Sequence, residues 1–129
     1  MGFMSSSIVL APAGHAAGPS PAWRGLLEAR WRQRLTAVTE LSLAYHDAAE
    51  RSGGGRGPGG TRQVRRLLRE ATGARRALFD TEEALARLSD GRYGRCEQCS
   101  APIPTAALLA EPETRYCAGC VRRVTRQAG

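Results

Sequence analysis

Residues 96–120 read CEQCSAPIPTAALLAEPETRYCAGC and hold every cysteine of the chain: Cys96, Cys99, Cys117 and Cys120. The order is Cys-x2-Cys-x17-Cys-x2-Cys. A gap of two residues lets one tight turn aim two sulfurs at a single point, and the longer excursion is of the length that brings a second pair to close the same site. Four thiolates suit one tetrahedral zinc ion. Because all four ligands come from the protein, no coordination position stays open, which marks a structural zinc rather than a catalytic one. His15 and His46 lie far from the cysteines and read as ordinary exposed side chains. Gly119 sits inside the second pair and is expected to ease its turn.

The excursion carries the makings of a small core in Tyr93, Ile103, Leu108, Leu109 and Tyr116, with Pro104 and Pro112 stiffening it. So short a module draws much of its folding free energy from the metal, because binding and folding are coupled. Just upstream, Ser89-Asp90-Gly91 places a glycine after the last apolar residue, the signature of a helix C-cap.

Residues 61–90 read as a long helix ending at that cap. Its stripe is Val64, Leu67, Ala71, Ala74, Leu78, Leu85 and Leu88, interrupted by Thr81. Residues 22–50 read as an earlier helix with the stripe Leu27, Trp31, Val38, Leu41, Tyr45 and Ala48, interrupted at Arg34, where Leu35 lies beside the line. Both stripes recur with a period near 3.5, which predicts an antiparallel two-helix coiled coil. Residues 51–60, RSGGGRGPGG, are the Gly-rich turn between them. About 30 residues per helix gives an arm about 45 Å long. The alanines bury little area, and Gly73 weakens its helix by about 1 kcal/mol relative to Ala, so the hairpin is expected to be modestly stable. Arg62, Arg65, Arg66, Arg69, Glu70, Arg75, Arg76, Glu82 and Glu83 fill the remaining positions of the second helix, and charge on a helix surface is ordinarily a solvated face.

The fold class expected is therefore mainly α: a coiled-coil hairpin over 22–90 followed by a small four-cysteine zinc-finger module over 91–123. Residues 1–21, rich in Ser, Ala, Gly and Pro, read as a disordered tail, and 124–129 as a second tail.

Bulk composition agrees. The chain has 129 residues, and its aromatic content of 5% is thin material for a large core. Formal net charge is +7, carried entirely by arginine with no lysine, as a GC-rich coding sequence produces. Four thiolates and one divalent ion lower it to about +5, and the excess still favours an anionic partner. No run of 18 apolar residues predicts a membrane span. The N-terminal apolar piece Ile8–Ala11 is broken by Pro12 and lacks a preceding basic region, so no secretory signal is expected and the expected compartment is the cytoplasm. There disulfides are disfavoured and paired Cys-x-x-Cys motifs hold metal.

The segment ALARLSDGRYGRCEQC, then Ile103-Pro104, then Leu108-x-Ala110-x-Pro112, then RYCAGC resembles the DksA/TraR family of bacterial zinc-finger transcription regulators. The correspondence runs through Gly91, Tyr93, Gly94, the four cysteines, Ile103, Leu108, Ala110 and Pro112. It covers residues 84–121, and the preceding hairpin fits the family's arm in length and place. The resemblance implies a protein that is not an enzyme. It implies binding to RNA polymerase, with the coiled-coil arm entering the secondary channel toward the catalytic magnesium. Acidic residues at the arm's tip modulate initiation in that family. The matching segment here is Asp47-Ala-Ala-Glu50-Arg-Ser52, in which Glu50 and Ser52 replace the family's Asp and Ala. The run GGGRGPGG after it departs from the family pattern. Members that bind guanosine tetraphosphate carry basic residues where this chain has Glu111 and Val121, so the resemblance does not extend to direct alarmone binding, although Arg122 and Arg123 lie close by. Arg92, Arg95, Arg115, Arg122, Arg123 and Arg126 make the zinc end basic, fit to dock on an acidic polymerase rim.

Two other functions use the same residues. A DNA-binding zinc protein would use the arginines, although no base-reading helix follows a Cys2His2 site. A coiled-coil adaptor would use the zinc only as a staple. An enzyme finds no support: there is no open metal site, and GGGRGPGG lacks the Lys-Ser/Thr ending of a phosphate-binding loop.

Overall fold

The computed structural model describes residues 21–53 and 58–128. The expected N-terminal tail, Pro21 excepted, lies outside the described residues, as does the centre of the Gly-rich turn. The chain is mainly helical, with α1 at Pro21–Arg51, α2 at Pro58–Ser89, α3 at Thr105–Ala110 and α4 at Ala118–Ala128. Among the described residues the only strand-like pairing is one antiparallel bridge, Arg95 with Pro102.

The helices end where the sequence places its punctuation. At the end of α2, Gly91 adopts φ +76°. The Arg92 amide donates to the Arg87 carbonyl at 2.8 Å and the Gly91 amide to the Leu88 carbonyl at 3.2 Å, the two bonds of a Schellman cap. At the end of α1, Gly53 has φ +64° and its amide donates to the Glu50 carbonyl at 3.2 Å. The start of α2 differs from expectation. Pro58-Gly59-Gly60, read as turn, is its opening. Proline suits a first turn, where its missing N–H has no intrahelical partner to lose. The C-terminal residues differ too: helix α4 runs on to Ala128, through most of the expected tail.

The chain divides into two compact units, Leu26–Glu83 and a second formed by the chain up to Gly25 together with Ala84 onward. In the first, α1 and α2 pack antiparallel. Trp31 Nε1 donates to Glu82 Oε2 at 3.1 Å, and Arg75 Nη2 to Ser42 Oγ at 3.4 Å, so partners on α2 fall in number as those on α1 rise. The two interruptions in the sequence stripes are not gaps. Thr81 is fully buried, its hydroxyl donating to the Ala77 carbonyl at 3.0 Å. Arg34 is half-buried at its heptad position, and its Nε has no hydrogen-bond partner. Leu35 instead is exposed. With Arg34 and Thr81 counted in, both seams keep unbroken steps of 3 and 4. Among the described residues of this unit Leu27, Ala48, Ala71 and Thr81 are buried, and most other seam positions are half-buried, because two helices cannot enclose a seam on all sides.

Candidate functional site

The second unit gathers the cysteines. Its core is Ala84, Arg87 and Leu88 at the end of α2, with Tyr93, Ile103, Leu108 and Cys96 from the following segment. Of the residues expected there, Leu109 is exposed and Tyr116 half-buried: α3 turns Leu108 inward and so carries its neighbour outward. The Tyr93 hydroxyl donates to the Pro112 carbonyl at 2.9 Å, and its ring meets Trp23 with centroids 5.4 Å apart. The Ile103 amide reaches the Gly94 carbonyl and the Cys96 amide the Ala101 carbonyl, each at 2.8 Å, folding the first knuckle back on itself.

That knuckle closes through the Ser100 amide, which donates to the Cys96 carbonyl at 2.9 Å, with Ser100 at φ +65°. The second pair is built differently from expectation. Cys120 and Gly119 lie in the first turn of α4 and Cys117 immediately before it, so helical spacing brings the two sulfurs together and Gly119 is not in the left-handed region.

The four sulfurs lie within 4.8 Å of one another, and Cys99 Sγ and Cys117 Sγ are 3.7 Å apart. A tetrahedron of sulfurs around zinc at about 2.3 Å has edges of about 3.8 Å, so the cluster has the size and donor set for one such ion. All four cysteines are free of disulfide bonds. Cys96 and Cys120 are buried, Cys117 half-buried and Cys99 exposed. Burial pushes the Cys96 thiol up, but backbone N–H groups of Cys117, Cys99 and Gln98 outweigh it and bring it down to about 6. The Gln98 amide is 3.4 Å from that sulfur. A backbone N–H of Cys120 lowers Cys117. Burial drives Cys120 up to about 12, with Arg123 opposing. Arg123 Nη2 lies 3.0 Å from Cys120 Sγ, and that hydrogen bond raises its own pKa.

One further feature escaped sequence reading. Arg87 is 2% exposed. It donates through Nη1 to Glu97 Oε2 and through Nη2 to the Glu113 carbonyl, each at 3.4 Å, while Arg115 Nη1 stands 3.9 Å from Glu97 Oε1. Burial lowers the Arg87 pKa and Glu97 opposes that shift. The arginine thus ties the end of α2 to the residue after the first cysteine and to the end of the excursion. The signal available was an arginine between Ala84 and Leu88, on a helix face otherwise apolar.

The expected docking arginines divide into two groups. Arg92, Arg95 and Arg122 are exposed. Arg92 pairs with Asp90 at 3.0 Å and Arg95 donates to the Ser100 carbonyl at 3.2 Å, both beside a depression of about 400 Å³ that also touches Cys96 and Glu97. Arg123 is exposed too but reaches Cys120, and Arg115 is half-buried and turned toward Glu97. In the other unit, Asp47 and Glu50 lie exposed in the last turns of α1, and Asp47 Oδ2 pairs with Arg51 Nη1 at 2.7 Å. Ser52 donates to the Ala49 carbonyl at 3.4 Å.

No family model matches the chain. An uncharacterized protein of Aquifex aeolicus (strain VF5) is 44% identical over 52 residues, 40% of this chain. The match spans 36% of that relative's length. Among solved structures, transcription factor DksA2 from Pseudomonas aeruginosa superposes with a TM-score of 0.69 at 22% identity, over 83% of each chain. The likeness establishes a shared fold. No described helix is long and apolar enough to cross a membrane.

Proposed function

We propose that this protein is a zinc-stabilised, non-enzymatic regulator of transcription that works in the cytoplasm by binding RNA polymerase and sending its helical arm into the secondary channel. The observation that carries this is the shared fold with a transcription factor over 83% of both chains, joined to a tetrathiol cluster in the sequence pattern of the DksA/TraR family. Zinc is the ion that fits, because four soft donors at tetrahedral spacing leave no position for substrate or water. A two-helix arm is narrow enough to enter a channel that excludes a globular body. Arg92, Arg95, Arg122 and Arg123 are the docking residues available on the surface, although Arg123 also reaches Cys120, while half-buried Arg115 faces Glu97. With Glu111 and Val121 both exposed where a phosphate would need cations, direct alarmone binding forms no part of the proposal.

The tip residues are Asp47 and Glu50, with Ser52 capping the turn. Two carboxylates in the last turns of a helix face the negative end of its dipole, so they cost stability where they stand. The Arg51 pair returns little of it, since both partners are largely exposed. Near a carboxylate-bound magnesium such charges can compete for coordination or reorder water.

Pull-down with purified core RNA polymerase should capture the zinc-loaded protein, and Asp47→Asn/Glu50→Gln should still be captured while losing its effect on transcription in vitro. Failure to bind polymerase defeats the proposal. Capture with unchanged transcription by the double variant defeats only the tip assignment. Metal analysis of natively purified protein should give one zinc per chain.

A further inference from the structure

We propose that the outer face of α2 is a docking strip for the phosphate backbone of duplex DNA, separate from the zinc module and not dependent on polymerase binding. At 100° per residue, Arg62, Arg65, Arg66, Arg69 and Arg76 fall within about 100° of arc, opposite the seam positions Val64, Leu67, Ala71, Ala74 and Leu78. All five are exposed. Among the described residues Arg66 alone of the five has a carboxylate at ion-pair distance, Glu70 at 4.0 Å. Arg62, Arg66 and Arg69, with Gln63, frame a shallow depression of about 370 Å³.

A merely solvated helix face mixes charge signs, because oppositely charged neighbours at i, i+3 and i, i+4 support the helix and like charges weaken it. Here Arg62 and Arg66, Arg65 and Arg69, Arg62 and Arg65, and Arg66 and Arg69 are all like-charged neighbours at those spacings. The free protein bears that repulsion, and a polyanion laid along the strip relieves it. Farther along the same face the charge reverses at Asp80 and Glu83, so the basic strip has a defined end.

Duplex DNA is the polyanion that matches. The strip is straight and about 21 Å long from Arg62 to Arg76. A stiff duplex presents phosphates along that length with no ordering cost, whereas a flexible single strand would have to be straightened first. Proteins that hold single strands add aromatic platforms for the bases, and this strip contains no aromatic residue. Five arginines over one phosphate row position a helix and read no sequence.

The test is fluorescence anisotropy with a labelled duplex of about 20 base pairs, the full-length zinc-loaded protein and a salt titration. Five phosphate contacts predict a log–log salt slope of about −4.5, or about 500-fold weaker binding at 200 mM than at 50 mM salt. Arg62→Gln/Arg66→Gln/Arg69→Gln, which keeps helix propensity, should flatten the slope to about −1.8, or about 12-fold over the same range. Circular dichroism checks that the variant keeps its helix content. Absence of duplex binding at 50 mM salt overturns the proposal. So does a triple variant with the parental slope, or a single strand of the same length that binds more tightly than the duplex.

Discussion

At the scale of single residues, the core of the cysteine-bearing unit includes a charged side chain, Arg87, beside Leu88, Ile103 and Leu108. The Arg87 guanidinium is buried and donates to Glu97, a partly exposed carboxylate that also faces Arg115, and to the Glu113 carbonyl, so truncation leaves a void and removes both hydrogen bonds. Arg87→Ala should cost about 3 kcal/mol in denaturant unfolding of the zinc-loaded protein, and Arg87→Met, which restores volume but not hydrogen bonds, clearly less. Equal, negligible losses for both would show that the network holds nothing. The glycines give a sharper contrast. Gly91 has φ +76° and open space around a would-be Cβ, so Gly91→Ala suffers backbone strain alone, about 1 kcal/mol. Gly119 is helical with the same open space, so Gly119→Ala should be neutral or stabilise by up to about 1 kcal/mol. Thermal melts of the two variants should move in opposite directions or only the first should move.

At the scale of elements, the two knuckles bring their sulfurs to one cluster from different backbone conformations, and their thiols differ electrostatically. Metal uptake requires thiolates and therefore expels protons. In the folded module backbone N–H groups favour the Cys96 thiolate, lowering it from 9.0 to about 6, whereas burial favours the neutral Cys120 thiol, raised to about 12. The contribution of Cys96 ionisation to folding is complete above 9.0 and fades as pH falls through about 6. That of the neutral Cys120 thiol is complete below 9.0 and is lost only as pH rises through about 12. Because the module unfolds without metal and its thiols return to their ordinary range, titration calorimetry in buffers of different ionisation heat should count close to four protons released per zinc at pH 7. A count clearly below four would show that the metal-free module stays folded with Cys96 ionised.

At the scale of the whole molecule, two units of different character share one pair of long helices. The second unit brings four sulfurs within 4.8 Å of one another beside its core, while Leu26–Glu83 has a seam of its own that contains no cysteine. Chelation of the metal should unfold residues 92–121 and leave the α1–α2 pair partly helical. Hydrogen exchange followed by mass spectrometry resolves the two: protection should vanish over 92–121 and persist over much of 64–83. Loss of both together would show that the arm has no stability of its own.

The sequence by itself determined the order of the two long helices and the cysteine segment, the seam period, the Gly91 cap and the gathering of the four cysteines. These are local matters: hydrophobic period, left-handed glycine and ligand spacing act over a few residues and leave their mark in the residue string. Residues 124–128 as helix, the polar seam positions Arg34 and Thr81, the outward turn of Leu109, the helical geometry of the second cysteine pair and the burial of Arg87 were decided only in three dimensions. For Arg34, Thr81, Leu109 and Arg87 the outcome turns on which distant group covers or pairs with the side chain. An arginine facing Glu97 and the Glu113 carbonyl is written like one facing water; only packing removes the water and makes the partners necessary.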